Sequence, residues 1–128
     1  MSEYTIGVDL AKYKYVDLEL DEAKKFINAL KSVVGRGEAD FREVGRYLEN
    51  FDEFYNYMKK KFKDFLAVPH KPDDYIRSNV VVDKVKLYID DNGKRRVVLV
   101  LDRSVSFDEI KEALKALGYH TIKTKKLF

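Results

Sequence analysis

Basic residues recur in the last third of the chain at Lys84, Lys86, Lys94, Arg95 and Arg96, around Tyr88, and again at Lys123, Lys125 and Lys126. Such cations neutralise phosphates and release condensed counterions. A tyrosine set among them offers a flat ring to an unpaired base. Lysines on strands have a second use, which is to stop an exposed sheet edge from pairing with another chain. The pattern is therefore expected to form either a face for single- or double-stranded nucleic acid, DNA or RNA, or a solvated edge.

Other chemistry is thinly represented. There are no cysteines, which excludes disulfides and thiolate metal sites. Of the two histidines, His70 lies close to Asp73 and Asp74 in a Pro-bounded loop, a set that could ligate a metal or simply be a pinned surface loop. No Ser-His-Asp arrangement can be built. None of the six glycines falls into a GxGxxG or GxxxxGK phosphate loop. The expectation is a non-enzymatic protein without a cofactor.

The most regular pattern is structural. Phe41, Val44, Leu48, Phe51, Tyr55, Met58, Phe62 and Phe65 are spaced 3-4-3-4-3-4-3, which makes a heptad seam. This reads as one helix over about 39–66, on the order of 40 Å long, with weak points at Asn50 and Asp52. The seam can cover the protein's own sheet, or it can be shared with a partner in a homodimer or protein-interaction module. From Glu38 to Glu53 there are six acids against Arg42 and Arg46, and from Lys59 to Lys63 there are four lysines and no acid. That layout suits an antiparallel partner helix, and it equally follows the helix macrodipole.

The elements that must position these residues are read from periodicity. Tyr4–Asp9 and Tyr13–Leu20 are strands, the second alternating Val16, Leu18 and Leu20 with Asp17 and Glu19. A helix follows over Asp21–Val34, with Asp21 as N-cap and Gly35 as C-cap. Pro69–Tyr75 is a loop. Val80–Ile89 and Arg95–Leu101 flank Asp91-Asn92-Gly93-Lys94, whose Asn-Gly centre suits a type I′ turn. That turn would set Ile89 opposite Arg96, Leu87 opposite Val98 and Val85 opposite Val100. Val97, Leu99 and Leu101 would then lie beside Lys84, Lys86 and Tyr88, and would need the long helix or a second subunit to cover them. Ser106-Phe107-Asp108-Glu109 is a capping box that opens a helix over Phe107–Leu117. Gly118 ends it, and Tyr119–Lys126 is the last strand.

The order from Tyr13 onward is β-α-(long helix)-β-β-α-β, so the fold class is α+β. The element order resembles the ferredoxin-like split β-α-β pattern with a long inserted helix and an extra N-terminal strand. That resemblance implies an antiparallel sheet with two helices on one face, and no function. Ile6-Gly7-Val8-Asp9-Leu10-Ala11-Lys12 resembles the opening strand of RNase H-like nucleases and transposases. There an aspartate at the position of Asp9 binds a catalytic metal, and Asp17 or Asp102 would have to supply further ligands. The family places its carboxylates after three consecutive strands, whereas here a helix follows the second. The central strand Lys94-Arg95-Arg96-Val97-Val98-Leu99-Val100-Leu101 lacks the aromatics of the RNP1 motif of RNA-recognition domains.

A chain of 128 residues suits a single domain spanning 1–128. The charged fraction of 37% is high, but the net charge is only +3, so the distribution of charge matters more than its sum. MSEYTIGVDL carries no signal-peptide pattern, and no apolar run approaches the ~20 residues of a membrane span. The expected location is intracellular and cytoplasmic. The absence of glutamine and cysteine, with only two methionines among many lysines, is the composition expected of a heat-adapted protein.

Overall fold

Alternating residues on each strand fall on opposite faces of a sheet, and the apolar set collects on one of them. In β2 (Lys14–Glu19), Lys14, Val16 and Leu18 are buried while Tyr15, Asp17 and Glu19 are only partly so. β1 (Glu3–Val8) adds Ile6 and Val8, β4 (Val82–Ile89) adds Val85 and Leu87, and β5 (Arg95–Leu101) adds Val97, Leu99 and Leu101. Val16 lies opposite Leu99 and Leu18 opposite Val97, with Val85 and Leu87 on the far side of the same two residues. The computed structural model describes residues 3–9, 11–73 and 79–126.

The helices pack on this apolar face. α1 (Leu20–Val34) contributes Ala23, Phe26, Ile27 and Leu30, and α2 (Glu38–Glu49) contributes Phe41, Val44, Tyr47 and Leu48. α3 (Phe51–Lys60) adds Phe51 and Met58, and α4 (Phe107–Ala116) adds Ile110, Ala113 and Leu114, all in one hydrophobic cluster with the strands. α1 grows directly out of β2, with Glu19 rather than Asp21 at its N-cap position and Asp21 in its first turn. The Ser106–Glu109 capping box of α4 forms as read. Gly37 joins α1 to α2 at φ +73°, where a Cβ would run into Val81, so only glycine lets the helix start sit this close to the β4 approach.

Among the described residues the sheet has six strands, ordered β3-β4-β5-β2-β1-β6, with β3 being Leu66–Ala67 and β6 Thr121–Lys126. β1 and β6 are parallel, and the other pairs are antiparallel. The sheet is therefore mixed, which corrects the antiparallel expectation. The ferredoxin-like order would set the last strand beside β2, but β1 stands between them. β1 pairs with β2 only at Gly7–Tyr15 and Val8–Lys14, and with β6 along all of Glu3–Val8. Where β1 and β2 part, the Tyr4 hydroxyl takes over the ladder. It donates to the Asp17 carbonyl at 2.8 Å and accepts from the Asp17 N–H at 2.6 Å.

Two expectations are corrected by local chemistry. The long helix is broken at Asn50 (φ −115°, ψ 43°) and stops at Lys60, six residues short of Leu66. The Asn50 amide donates to the Arg46 carbonyl at 2.9 Å, the competition with backbone bonding that makes asparagine a poor interior helix residue. The β4–β5 register is also shifted by one. Asp90, not Asp91, closes the turn: its N–H donates to the Lys94 carbonyl at 3.0 Å, and its carboxylate accepts from the N–H groups of Asn92 and Lys94. Three residues remain in the loop, with Gly93 at φ +77°, as in a type I turn followed by a bulge. Leu87 therefore faces Val97 and Val85 faces Leu99, so Val97, Leu99 and Leu101 join the helix-covered core and need no second subunit.

Candidate nucleic-acid face

The other side of the sheet carries the polar half of each strand, and no helix among the described residues packs on it. β4 presents Lys84, Lys86 and Tyr88 there. Their partners on β5 are Val100, Val98 and Arg96, and beyond them on β2 come Tyr15, Asp17 and Glu19. Gly7 follows Tyr15 and is paired with Lys125, while Thr5 is paired with Lys123. One row thus runs Lys84, Val100, Tyr15, Gly7, Lys125 across the sheet. At roughly 4.8 Å per strand, its lysines stand roughly 19 Å apart at the backbone. Val100 is buried in this row, between Tyr15 and Lys84.

Asp17 organises the middle of the face. Its carboxylate is 3.1 Å from the Arg96 guanidinium and accepts from the Tyr88 hydroxyl at 2.6 Å. Burial is the main cause of a raised Tyr88 pKa, and the hydrogen bond to Asp17 adds to it. Burial acts against the Arg96 charge, but Asp17 and Tyr88 outweigh it and raise the pKa of the guanidinium. The Tyr15 hydroxyl donates to Asp9 at 2.7 Å, and burial followed by this bond pushes its pKa up to about 12.

The nine basic-face positions do not all meet. Lys84, Lys86, Tyr88, Arg96, Lys123 and Lys125 share the open face. Lys84 lies 4.5 Å above the Phe65 ring and Lys86 lies 5.9 Å from the Tyr88 ring. Lys123 pairs with Glu3 at 3.3 Å, and Lys94, in the turn, pairs with Glu19 at 3.2 Å. Arg95 points to the helix side, where it makes a two-pronged pair with Asp52 of α3 at 2.9 and 3.0 Å. The backbone of Lys126 is paired with Val8.

The seam residues divide as well. Phe41, Val44, Leu48, Phe51 and Met58 are buried in the chain's own core, and Tyr55 stacks on Phe51 with ring centroids 5.9 Å apart. Phe65 passes under Lys84, and Phe62 is 96% exposed. Tyr15 and Asp17 were missed as members of the face. The alternation of β2 places them there, but which residues stand beside them follows from strand order, which the alternation does not carry.

The remaining candidates are structural in geometry. Asp9 staples the β1–β2 turn, its carboxylate accepting from the Tyr13 N–H at 2.9 Å as well as from Tyr15. Asp102 accepts from the Ser104 N–H at 3.0 Å. His70 bonds Asp40 at 2.8 Å, both side chains being buried. Asp73 is exposed, and Asp74 lies outside the described residues. Among the described residues, no three histidine or carboxylate side chains are grouped to hold a metal ion. No helix among them is long and apolar enough to cross a membrane. No family model, no curated protein and no solved structure matches this chain.

Proposed function

We propose that this protein is a non-enzymatic nucleic-acid-binding protein that holds the phosphate backbone across the open face of its sheet, with little preference for sequence. The observation that carries the reading is the row from Lys84 to Lys125, with Val100, Tyr15 and Gly7 between the two lysines and Asp17 in the next row held by Arg96 and Tyr88. Edge protection accounts for lysines on β6, an outer strand. It does not account for Lys84, which sits where β3 already pairs with β4.

The test is fluorescence anisotropy with labelled single- and double-stranded oligonucleotides at low and moderate salt. Among the described residues, Lys84, Lys86 and Lys125 face outward with no acidic partner within ion-pair distance. If each neutralises one phosphate of a single strand, these three contribute about −2 to the slope of log K against log salt, an affinity drop of at least about 20-fold between ~50 and ~200 mM. Lys86→Ala with Lys125→Ala is expected to weaken binding of every sequence alike and to flatten the slope by about 1.4. Unchanged affinity in this double variant would show that the ligand, if any, lies elsewhere.

A further inference from the structure

The most exposed aromatic side chain among the described residues lies outside that face. Phe62 is 96% exposed and takes φ +54°, a left-handed conformation that glycine adopts freely and phenylalanine does not. The conformation belongs to the end of α3. The Phe62 N–H donates to the Lys59 carbonyl at 3.2 Å, and the Lys63 N–H donates to the Met58 carbonyl at 2.9 Å. These are the two bonds of a Schellman cap, with phenylalanine in the position usually held by glycine. The cap fixes where the side chain leaves the backbone, and the ring covers nothing.

Beside the ring is a groove of about 370 Å³, lined by Tyr55, Met58, Lys59, Phe62, Lys63 and Lys86 among others. Lys60 and Lys61 are exposed and adjoin Lys59 in the chain, and Asp64, the single acid between Lys59 and Phe65, also lines the groove. Lys86 belongs both to this groove and to the open face, so the two surfaces are continuous around the unpaired part of β4, beyond the Leu66–Val85 pair. A dense cationic rim calls for a polyanion. An exposed, backbone-fixed ring next to an apolar slot calls for a flat, unpaired partner, which a duplex hides in its stack and a single strand presents.

Building on the reading above, we propose that the ligand is single-stranded, and that Phe62 stacks one of its bases at the β4 margin while Lys59, Lys63 and Lys86 hold the flanking phosphates. Phe62→Gly removes the ring and at the same time removes the backbone strain, so stability and binding are expected to move in opposite directions. The melting temperature holds or rises. Affinity for a labelled oligothymidylate of about 16 nucleotides falls at least fivefold, with duplex affinity unchanged. Phe62→Trp retains the binding. An oligonucleotide carrying 2-aminopurine is quenched by the wild-type protein and not by Phe62→Gly.

If the wild-type chain binds no oligonucleotide, the function proposed above falls, and this inference with it. If it binds, but Phe62→Gly matches it in affinity and quenching, the stacking role alone is refuted. Phosphatidylserine vesicles are the third arm. If Phe62→Gly loses vesicle binding and keeps oligonucleotide binding, the ring inserts into a lipid surface and the nucleic-acid role of the groove is overturned.

Discussion

Asp17→Asn should make the open face a better binder while making the protein less stable. The carboxylate lies 3.1 Å from Arg96 and 2.6 Å from the Tyr88 hydroxyl oxygen. Asparagine keeps the size and one acceptor and removes the charge. Arg96 stays oriented, because its guanidinium also donates to the Asp17 backbone carbonyl at 3.3 Å, but its charge is no longer neutralised. The ion pair is partly solvated, so its loss costs about 0.2–1 kcal/mol. Replacing a charged acceptor for Tyr88 by a neutral one costs about 1 kcal/mol more. At ~2.1 cal/mol/K per residue, 128 residues give an unfolding entropy of ~0.27 kcal/mol/K, so the melting temperature should drop by about 4–7 °C.

The binding side is set by one added phosphate contact. The freed Arg96 should steepen the salt slope by about 0.7, which makes the gain over wild type about threefold larger at ~50 mM than at ~200 mM salt. Anisotropy titrations at these two salts, with calorimetry or circular dichroism for stability, check both halves. A variant that binds more weakly at every salt, or with an unchanged slope, would refute the argument. Asp17 would then be a group that touches the ligand, or the face would not be the contact.

Two further outcomes follow from the core and from the tyrosines. Asp40→Ala removes the acceptor of the buried Val81 and Val82 N–H groups, at 2.7 and 3.0 Å, and of His70. With about 1–3 kcal/mol for each orphaned donor, the loss is about 3–5 kcal/mol, or 10–20 °C in thermal melting, with oligonucleotide affinity unchanged at 25 °C. Tyr15 and Tyr119 are each pushed from the ordinary 10.0 up to about 12, by burial first and then by hydrogen bonds to Asp9 and Glu22. A raised folded-state pKa stabilises fully below the unfolded value and is lost above it, so stability should decline between pH 10 and 12. Tyr15→Phe should reduce that decline, as read by urea midpoints across the alkaline range, and an equal decline in the variant would count against a raised pKa at Tyr15.

Which residues share a strand face was legible from period two except at the bulge between Val82 and Lys84, and the helix start at Ser106 and stop at Gly35 were legible from their caps. What stands opposite what was not, because a sheet's register is set by its turns and shifts every neighbour at once. Asp91-Asn92-Gly93-Lys94 fits a two-residue turn by composition. The carboxylate of Asp90, one residue earlier, bonds two loop N–H groups and selects the three-residue turn. That one-residue difference moves Val97, Leu99 and Leu101 from the open face into the core. It thereby removes the apolar surface for which the two-residue turn requires a covering helix or second subunit. The heptad seam misled in a similar way. Spacing identifies an apolar stripe but says nothing about continuity, and a single amide at Asn50 was enough to divide it.

The charge pattern explains why a net +3 was a weak guide to the site. Acids of the helical segment are used on the helix side of the molecule, where Asp52 pairs with Arg95 and Glu49 with Lys24. They are neighbours in sequence of the lysine run 59–63, so the two cancel in any running sum. Folding separates them. α3 ends at Lys60, and the Schellman cap turns the chain back at Phe62. The run is thus brought to the margin of β4, beside Lys86, which belongs to a strand more than twenty residues further along the chain. The cationic surface is assembled from segments that look unrelated in the sequence. Its most exposed ring is a seam residue that the end of α3 at Lys60 leaves outside the core.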